Sequence, residues 1–595
     1  MSGFGPVAAI QQKHAGHLMK VAQGITPADL AIVNARVVNV YTAEVLENQS
    51  LCVSGDWIAY VGPDPGKMIG HTTRVIDAAD KYVIPGFIDG HTHLAWLFSI
   101  SEFLKYAIPG GTTTIITETL EPYPVCGLNG VIDFLNSLQN QPIKLFATAP
   151  GMVSISRMTS GIAPQDLAVL LKRDDILGLG ETYWQGVLQA PEIYLPQFEQ
   201  TLAAGKTIEG HSAGARDRKL AAYVSAGASS CHEPITPEEA LDRLRAGMYV
   251  MVREGSIRRD LEAVSTIKDA AVDLRRLILS TDGISPGELM GKGYMDYVVQ
   301  QAIHYGFKPI QAIQMATLNV AEHFHIDHLV GGLSPGKYAD MLILPDLRTI
   351  TPELVVSNGR VISENGRALV APRVHEYEAA HRKSIRLPHK PDAADFSIDA
   401  RIETGRARVR TIKMISDLVT AEDIIEIPVA DGKLQIESVA DVQWITCVDR
   451  THKPGKLFTG LIRGFGLKSG AVACSAAWDC SDIIVIGTTG ADMAAAVNRI
   501  HHLQGGAVIC DGGRTIAEIP LPIFGLMTDA PMPEIAHDME LINTKARERG
   551  VPFTDPMLTL ITLTGAAIPY LKICEEGLVN LKDGQHKPLI AGYGA

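Results

Sequence analysis

The sequence predicts an α/β protein: a TIM-type (β/α)8 barrel, a composite small β-domain formed by the segments flanking it, and a C-terminal α/β domain. Three observations carry this expectation. Between about Ile84 and Asp327, eight apolar strand-like runs alternate with helix-like segments, over the roughly 250 residues such a barrel occupies. Short β-rich runs punctuated by Asn, Gly and Asp lie on both sides of that middle. A second α/β region begins near Ser397, after a charged, proline-marked stretch.

Composition bounds the problem first. A chain of 595 residues exceeds what one hydrophobic core serves, so several domains are expected. Hydrophobic content of 46% with 20% charged residues marks a soluble globular protein. The net charge of −13 argues against a nucleic-acid grip, which needs a basic face. Eight cysteines without C-x-x-C spacing indicate neither a disulfide framework nor a thiolate zinc site, and fit a reducing cytoplasm. No basic segment followed by an apolar run opens the chain, and no apolar stretch is long enough to span a bilayer. The expectation is a cytoplasmic protein with no nucleic-acid or membrane partner.

The elements follow in order. Residues 1–83 hold a short amphipathic helix over Ile10 to Gly24 and the first part of the β-domain, from ADLAIVNARVVNVYTAEV at Ala28 to TRVIDAAD. Residues 84–328 form the barrel. Its strands are VIPGFIDGH, TTTIITET, KLFATAPG, ILGLGE, TIEGHS, ASSCHE, YVMVREGS and LILSTD. Segments such as PQDLAVLLKRD and PEEALDRLRAG supply helices between them. A doubly wound open sheet needs no eightfold count and would gather its ligands at one switch point. Residues 329–372 return to short β-runs, 373–396 form a connector, and 397–595 form the C-terminal domain. In that domain SDIIVIGTTGADMAAAVNRIHHLQGGAVICDGG reads as strand, helix, strand.

Barrel chemistry sits at the C-terminal ends of strands. Here those ends carry His91 and His93, Glu181, His211, His232 with Glu233, and Asp282. Residues i and i+2 of a strand share a face, so His91 and His93 can grip one cation. A lone strand-end histidine is more often structural. Four of the nineteen histidines on one rim, joined by the carboxylates Glu181 and Asp282, suit a divalent transition metal instead. GGTTT at Gly110 lacks the lysine of a phosphate loop, and GTTGAD at Gly487 lacks the dinucleotide glycine pattern, so no nucleotide cofactor is expected.

With these residues in place, the chain resembles the adenine deaminase branch of the metal-dependent amidohydrolase superfamily. PGFIDGHTH, GTTTII at Gly111, LGLGE at Leu177, the GH at His211, SCHE at Ser230, VREGS at Val252 and STD at Ser280 carry the resemblance in the barrel. RGFGLKSGAVACS, NRIHHLQGGAVI, IPLPIFGLMTD and TDPMLTL carry it in the C-terminal domain. Glu181 stands where many relatives have a carboxylated lysine. The chain departs from the family pattern at Leu94, Ala95 and Trp96. It departs again at TETLEPYP (Thr117–Pro124), at Gly283 after Asp282, and at Trp478 in the segment Ala477–Cys480.

The resemblance implies two divalent metal ions, manganese or iron ahead of zinc. His91, His93 and Asp282 would hold one, His211 and His232 the other, and Glu181 would bridge them. It implies hydrolytic deamination of adenine or a similar aminated heterocycle, with Asp282 and Glu233 as catalytic acid–base groups. Trp96, Glu118, Arg253 and Glu254 are the candidate substrate residues. The implied partner is a purine-like small molecule, and a homo-oligomer is expected of this class. Two other readings stand beside it: a ring-opening cyclic amide hydrolase, and a retired barrel serving as a binding protein.

Overall fold

The structure is a computed structural model that describes residues 7–151, 154–159 and 161–594. The helix expected near the N-terminus runs from Val7 to Ala22 and buries Leu18 and Val21. Five strands follow: β1 (Leu30–Asn39), β2 (Glu44–Ser54), β3 (Trp57–Gly62), β4 (Arg74–Asp77) and β5 (Tyr82–Pro85). They stay apart from the next strand, β6 (Phe87–Thr92).

The break falls at Gly86. A Cβ there would meet Thr113 Oγ1 at 2.2 Å, so only glycine lets the chain pass this close. Ile84 and Pro85, expected to open the first barrel strand, pair instead with Leu342 and Met341 of the composite sheet. The boundary therefore lies three residues further along than the apolar run VIPGFI suggests, because both sheets bury that run.

After β6 comes the short β7 (Leu97–Phe98), outside the barrel. The barrel continues with β8 (Thr112–Thr117), β9 (Lys144–Ala149), β10 (Ile176–Tyr183) and β11 (Thr207–His211). It closes with β12 (Ser230–Cys231), β13 (Tyr249–Arg253) and β14 (Leu277–Ser280). Parallel ladders join β6-β8-β9-β10-β11 and β12-β13-β14. The Asp282 N–H donates to the His91 carbonyl at 3.0 Å, and the Ser229 N–H to the Ile208 carbonyl at 2.9 Å, which completes the ring. Nearly every strand residue is buried, as a parallel sheet covered on both faces requires. Ile88, Ile116, Phe146, Leu177, Met251 and Ile278 fill the interior below the rim.

The second half of the composite sheet is β15 (Met341–Leu344), β16 (Leu354–Ser357), β17 (Arg360–Glu364) and β18 (Arg367–Ala368). The order is β18-β17-β16-β15-β5-β1-β2-β3, with β4 beside β1. Trp57 and Tyr338 stack across the two halves at 4.2 Å. Buried Lys144, at the foot of the barrel, reaches Asp340 at 2.8 Å and Asn358 at 2.7 Å, anchoring barrel to sheet.

The C-terminal region is built on a largely antiparallel ten-stranded sheet. Within it the strand Asp482–Gly487, the helix Gly490–Leu503 and the strand Gly506–Asp511 follow one another, as the sequence predicts. Thr489 caps that helix by accepting from the Asp492 N–H at 3.2 Å. The region also reaches the barrel directly, since Met527 and Thr528 pair in parallel with Leu97 and Phe98 of β7. Among the described residues all eight cysteines are free, and no helix is long and apolar enough to cross a membrane.

Candidate active site

At the C-terminal rim of the barrel, Glu181 Oε1 lies 3.2 Å from His91 Nε2, 3.2 Å from His93 Nε2 and 3.4 Å from His232 Nε2. Asp282 Oδ1 lies 3.2 Å from His91 Nε2 and 3.4 Å from His93 Nε2. Donor atoms of His91, Glu181, His232 and Asp282 all fall within 4.8 Å of one another. Strand geometry explains the convergence. β6 turns His91 and His93 to one side, and β10, β12 and β14 end at the same height around a closed ring. Asp282 adopts φ 59°, a left-handed backbone that an L-residue adopts at a cost.

Behind the imidazoles stand carboxylates. His93 Nδ1 faces Glu121 Oε1 at 2.5 Å, His211 Nδ1 faces Glu233 Oε2 at 2.6 Å, and His91 Nδ1 lies 3.6 Å from Glu118 Oε1. Glu118 fits only because position 180 is glycine, where a Cβ would meet Glu118 Oε2 at 2.0 Å. The carboxylates at Nδ1 of His93 and His211 orient those rings with Nε2 toward the centre.

Arg253 holds the other side. Its Nη1 reaches Asp282 Oδ2 at 3.1 Å and lies 3.7 Å from Glu233 Oε1, while its Nε and Nη2 grip Asp260 Oδ2 at 2.9 and 2.8 Å.

The electrostatics follow. Burial pushes the Glu181 carboxyl up, but His232, His91 and His93 overcome it and hold the group well below the carboxylate range. Burial likewise opposes Asp282, and His91, His93 and Arg253 hold it well below that range. Burial pushes His91 down, yet Asp282 and Glu181 carry it up to about 10. Burial and the neighbouring His91 push His232 well down, toward the neutral form.

Two ionised carboxylates face converging imidazole nitrogens, and the far sides of His93 and His211 are tied to Glu121 and Glu233. This nitrogen and oxygen donor set, without thiolate, fits a divalent cation.

A cavity of about 240 Å³ opens over the cluster. The barrel contributes His93, Glu181, His211, His232, Glu233, Arg253 and Asp282 to its wall. The C-terminal domain roofs it with Leu418, Val419, Trp478 and Ile568. The Trp478 ring lies 6.3 Å from that of His93, nearly parallel at 16°.

Comparison with known proteins decides the family. The chain is 36% identical to an adenine deaminase of Clostridium botulinum (strain 657 / Type Ba4), over 95% of both chains. It is 36% identical to one from Moorella thermoacetica, covering 97% of this chain and 98% of the relative. The chain belongs to the adenine deaminase family. An adenine deaminase from Cenarchaeum symbiosum is 34% identical, over 97% of this chain and 95% of the relative. The amidohydrolase family model matches residues 82–362, and the adenine deaminase C-terminal domain model matches residues 417–585.

The family member at hand distributes its expected site residues unevenly. The structure brings together His91, His93, Glu181, His232 and Asp282. His211 lines the same cavity, with its Nδ1 turned to Glu233.

Of the four candidate substrate residues, Arg253 alone lines that cavity. Trp96 is a correction: it is buried with Leu94 and Ala95 in the main apolar core. After His93 the chain leaves the rim to pair with the C-terminal domain through β7. Glu254 is a second correction, because it points away from the cavity and faces Arg259 at 3.8 Å. Residues 253 and 254 lie on opposite sides of the strand. Glu118 sits behind His91 and is itself off the cavity wall.

Sequence reasoning missed Glu121, Tyr183, Asp260 and Asp479. Tyr183 had a signal, since it lies two residues beyond Glu181 on one strand. The other three are set by loops and by the second domain.

Proposed function

We propose that the chain hydrolyses adenine to hypoxanthine and ammonia with divalent metal at the rim cluster, manganese or iron ahead of zinc. The carrying observation is the convergence of Glu181 Oε1 on three imidazoles in a chain related end to end to adenine deaminases. In this reading His91, His93 and Asp282 would hold one ion and His211 and His232 a second, with Glu181 a ligand common to the site. Such ions, when bound, would supply a water whose pKa is lowered toward neutrality.

The chain's own groups then move protons. Overall, the bond from C6 to the exocyclic nitrogen breaks and a C6–O bond forms. One water proton ends on the departing ammonia and the other, in net, on the ring nitrogen. Asp282, kept ionised by Arg253, accepts a proton from the attacking water and delivers it to the amine. Glu233, on the cavity wall beside His211, takes up the second water proton and passes it to the ring nitrogen. Arg253 spans both groups, which supports their acting in one step. Trp478 and the apolar roof hold a planar ring and exclude bulk water.

The net charge of −13 supports the absence of a nucleic-acid partner. Eight unpaired cysteines support a reducing, cytoplasmic setting. A homo-oligomer completes the reading and is measured by light scattering.

The test is product analysis with the manganese-loaded chain and adenine. Hypoxanthine and ammonia in equal amounts are expected. Loss of substrate without ammonia would replace the reading with ring opening, and no turnover with metal bound would replace the substrate.

A further inference from the structure

Glu181 has two carboxylate oxygens with different surroundings. Oε1 faces the three imidazoles, while Oε2 faces the Tyr183 hydroxyl at 3.2 Å. That hydroxyl is buried and lies 3.1 Å from Asp479 Oδ1 and 3.2 Å from Asp479 Oδ2. Asp479 belongs to the C-terminal domain. It is 5% exposed, adopts φ 59°, and accepts the Ala566 N–H at 2.8 Å through Oδ2. The Tyr183 ring also packs edge-on against His211, with centroids 4.7 Å apart. A chain of contacts thus runs from Ala566 through Asp479 and Tyr183 to Glu181.

We propose that Asp479 is a positioning residue for the metal cluster: through the Tyr183 hydroxyl it fixes Glu181 Oε2, and so turns Oε1 toward His91, His93 and His232. This rests on the reading of Glu181 as a metal ligand and goes beyond it, since it gives the C-terminal domain a part in holding metal. The physical logic is that of an outer partner setting the direction of an inner ligand. A carboxylate with one oxygen tied has one free rotamer instead of several, and losing such a partner typically costs about 10–100-fold in metal affinity. Asp479 and Tyr183 both line the cavity wall, and Asp479 meets Glu181 through the tyrosine hydroxyl. Its effect passes through the tyrosine, so removing the tyrosine hydroxyl must reproduce it.

The experiment follows metal loss from the manganese-loaded full-length chain into excess EDTA, with no substrate present. Asp479→Ala and Tyr183→Phe are each expected to release metal at least about tenfold faster than the native chain. Asp479→Asn keeps an oxygen for the Ala566 N–H and reverses the second bond, its amide N–H donating to the Tyr183 oxygen and leaving the hydroxyl proton for Glu181 Oε2, and is expected to stay within about threefold. A role confined to the Ala566 turn would leave Tyr183→Phe at the native rate. Circular dichroism of each variant checks folding, and Tyr183→Phe decides if Asp479→Ala does not fold. Native release rates in Asp479→Ala and Tyr183→Phe would overturn the proposal. Glu181→Gln separates the two ideas. Fast release there with slow release in Asp479→Ala defeats the relay alone, whereas slow release in Glu181→Gln defeats the ligand assignment beneath it.

Discussion

Arg253 Nη1 lies 3.1 Å from Asp282 Oδ2, while the other Asp282 oxygen faces His91 Nε2 at 3.2 Å. One carboxylate is therefore shared between a guanidinium and the histidine cluster. Arg253 also neutralises Asp260 and approaches Glu233. Arg253→Ala leaves these carboxylates without their buried counter-charge, which costs about 3–5 kcal/mol of stability. Urea unfolding measures that loss. A fall in kcat/KM of roughly 10²-fold or more is expected in the same variant, with Arg253→Lys between the two because it lacks the bidentate fork.

Glu233 has two assigned duties, and they separate experimentally. Its Oε2 holds His211 Nδ1 at 2.6 Å, and it relays a proton to the ring nitrogen. Glu233→Gln should lower kcat by about 10²–10⁴-fold. Glu121 meets His93 Nδ1, and Glu121→Gln should weaken metal retention by about 10–100-fold, with little loss of kcat at saturating manganese. Metal titrations and saturating kinetics on both variants read the difference.

Trp478→Ala removes the aromatic part of the roof. A stacked aromatic contact is worth about 0.5–1.5 kcal/mol beyond burial, so KM should rise roughly 2–12-fold while the metal content is unchanged. Steady-state kinetics on adenine, together with elemental analysis, check this. An unchanged KM would take Trp478 out of substrate binding.

Much of this site was legible in the chain. The eight strands follow from the alternation of apolar runs with helix-like segments, and five of those runs stop at a His, Glu or Asp of the site. The closed ring then brings His91, Glu181, His232 and Asp282 together without further information. What sequence could not give is the direction of side chains beyond the strand ends. Trp96 follows His93 by three residues yet lies in the interdomain core, because β7 pairs with Met527 and Thr528. TETLEPYP departs from the family pattern, and its two glutamates, Glu118 and Glu121, stand behind His91 and His93. Asp479 lies nearly 300 positions from Tyr183, and no local pattern signals such a contact. The split at Gly86 was hidden because both sheets bury the same apolar run.

Acid stability should carry the mark of Glu288. Burial pushes its carboxyl up, but hydrogen bonds from Arg259, Ser256 and Lys292 overcome this and bring it down to about 2. The folded state therefore binds this proton more weakly than the unfolded chain. The stabilisation is fully present above the ordinary glutamate pKa and is lost as pH falls toward 2. With its partial exposure, about 1–2 kcal/mol is at stake. Urea melts at pH 7 and pH 3 should show the gap between native and Glu288→Gln chains narrowing in acid.

The most direct measurement is hypoxanthine formation from adenine by the manganese-loaded chain, followed in the ultraviolet, alongside metal content, for the native protein and Glu181→Gln. The account predicts turnover with metal bound in the native chain, and loss of both in the variant, because Glu181 Oε1 is the atom on which three imidazoles converge. Turnover that survives Glu181→Gln with metal content unchanged would contradict it.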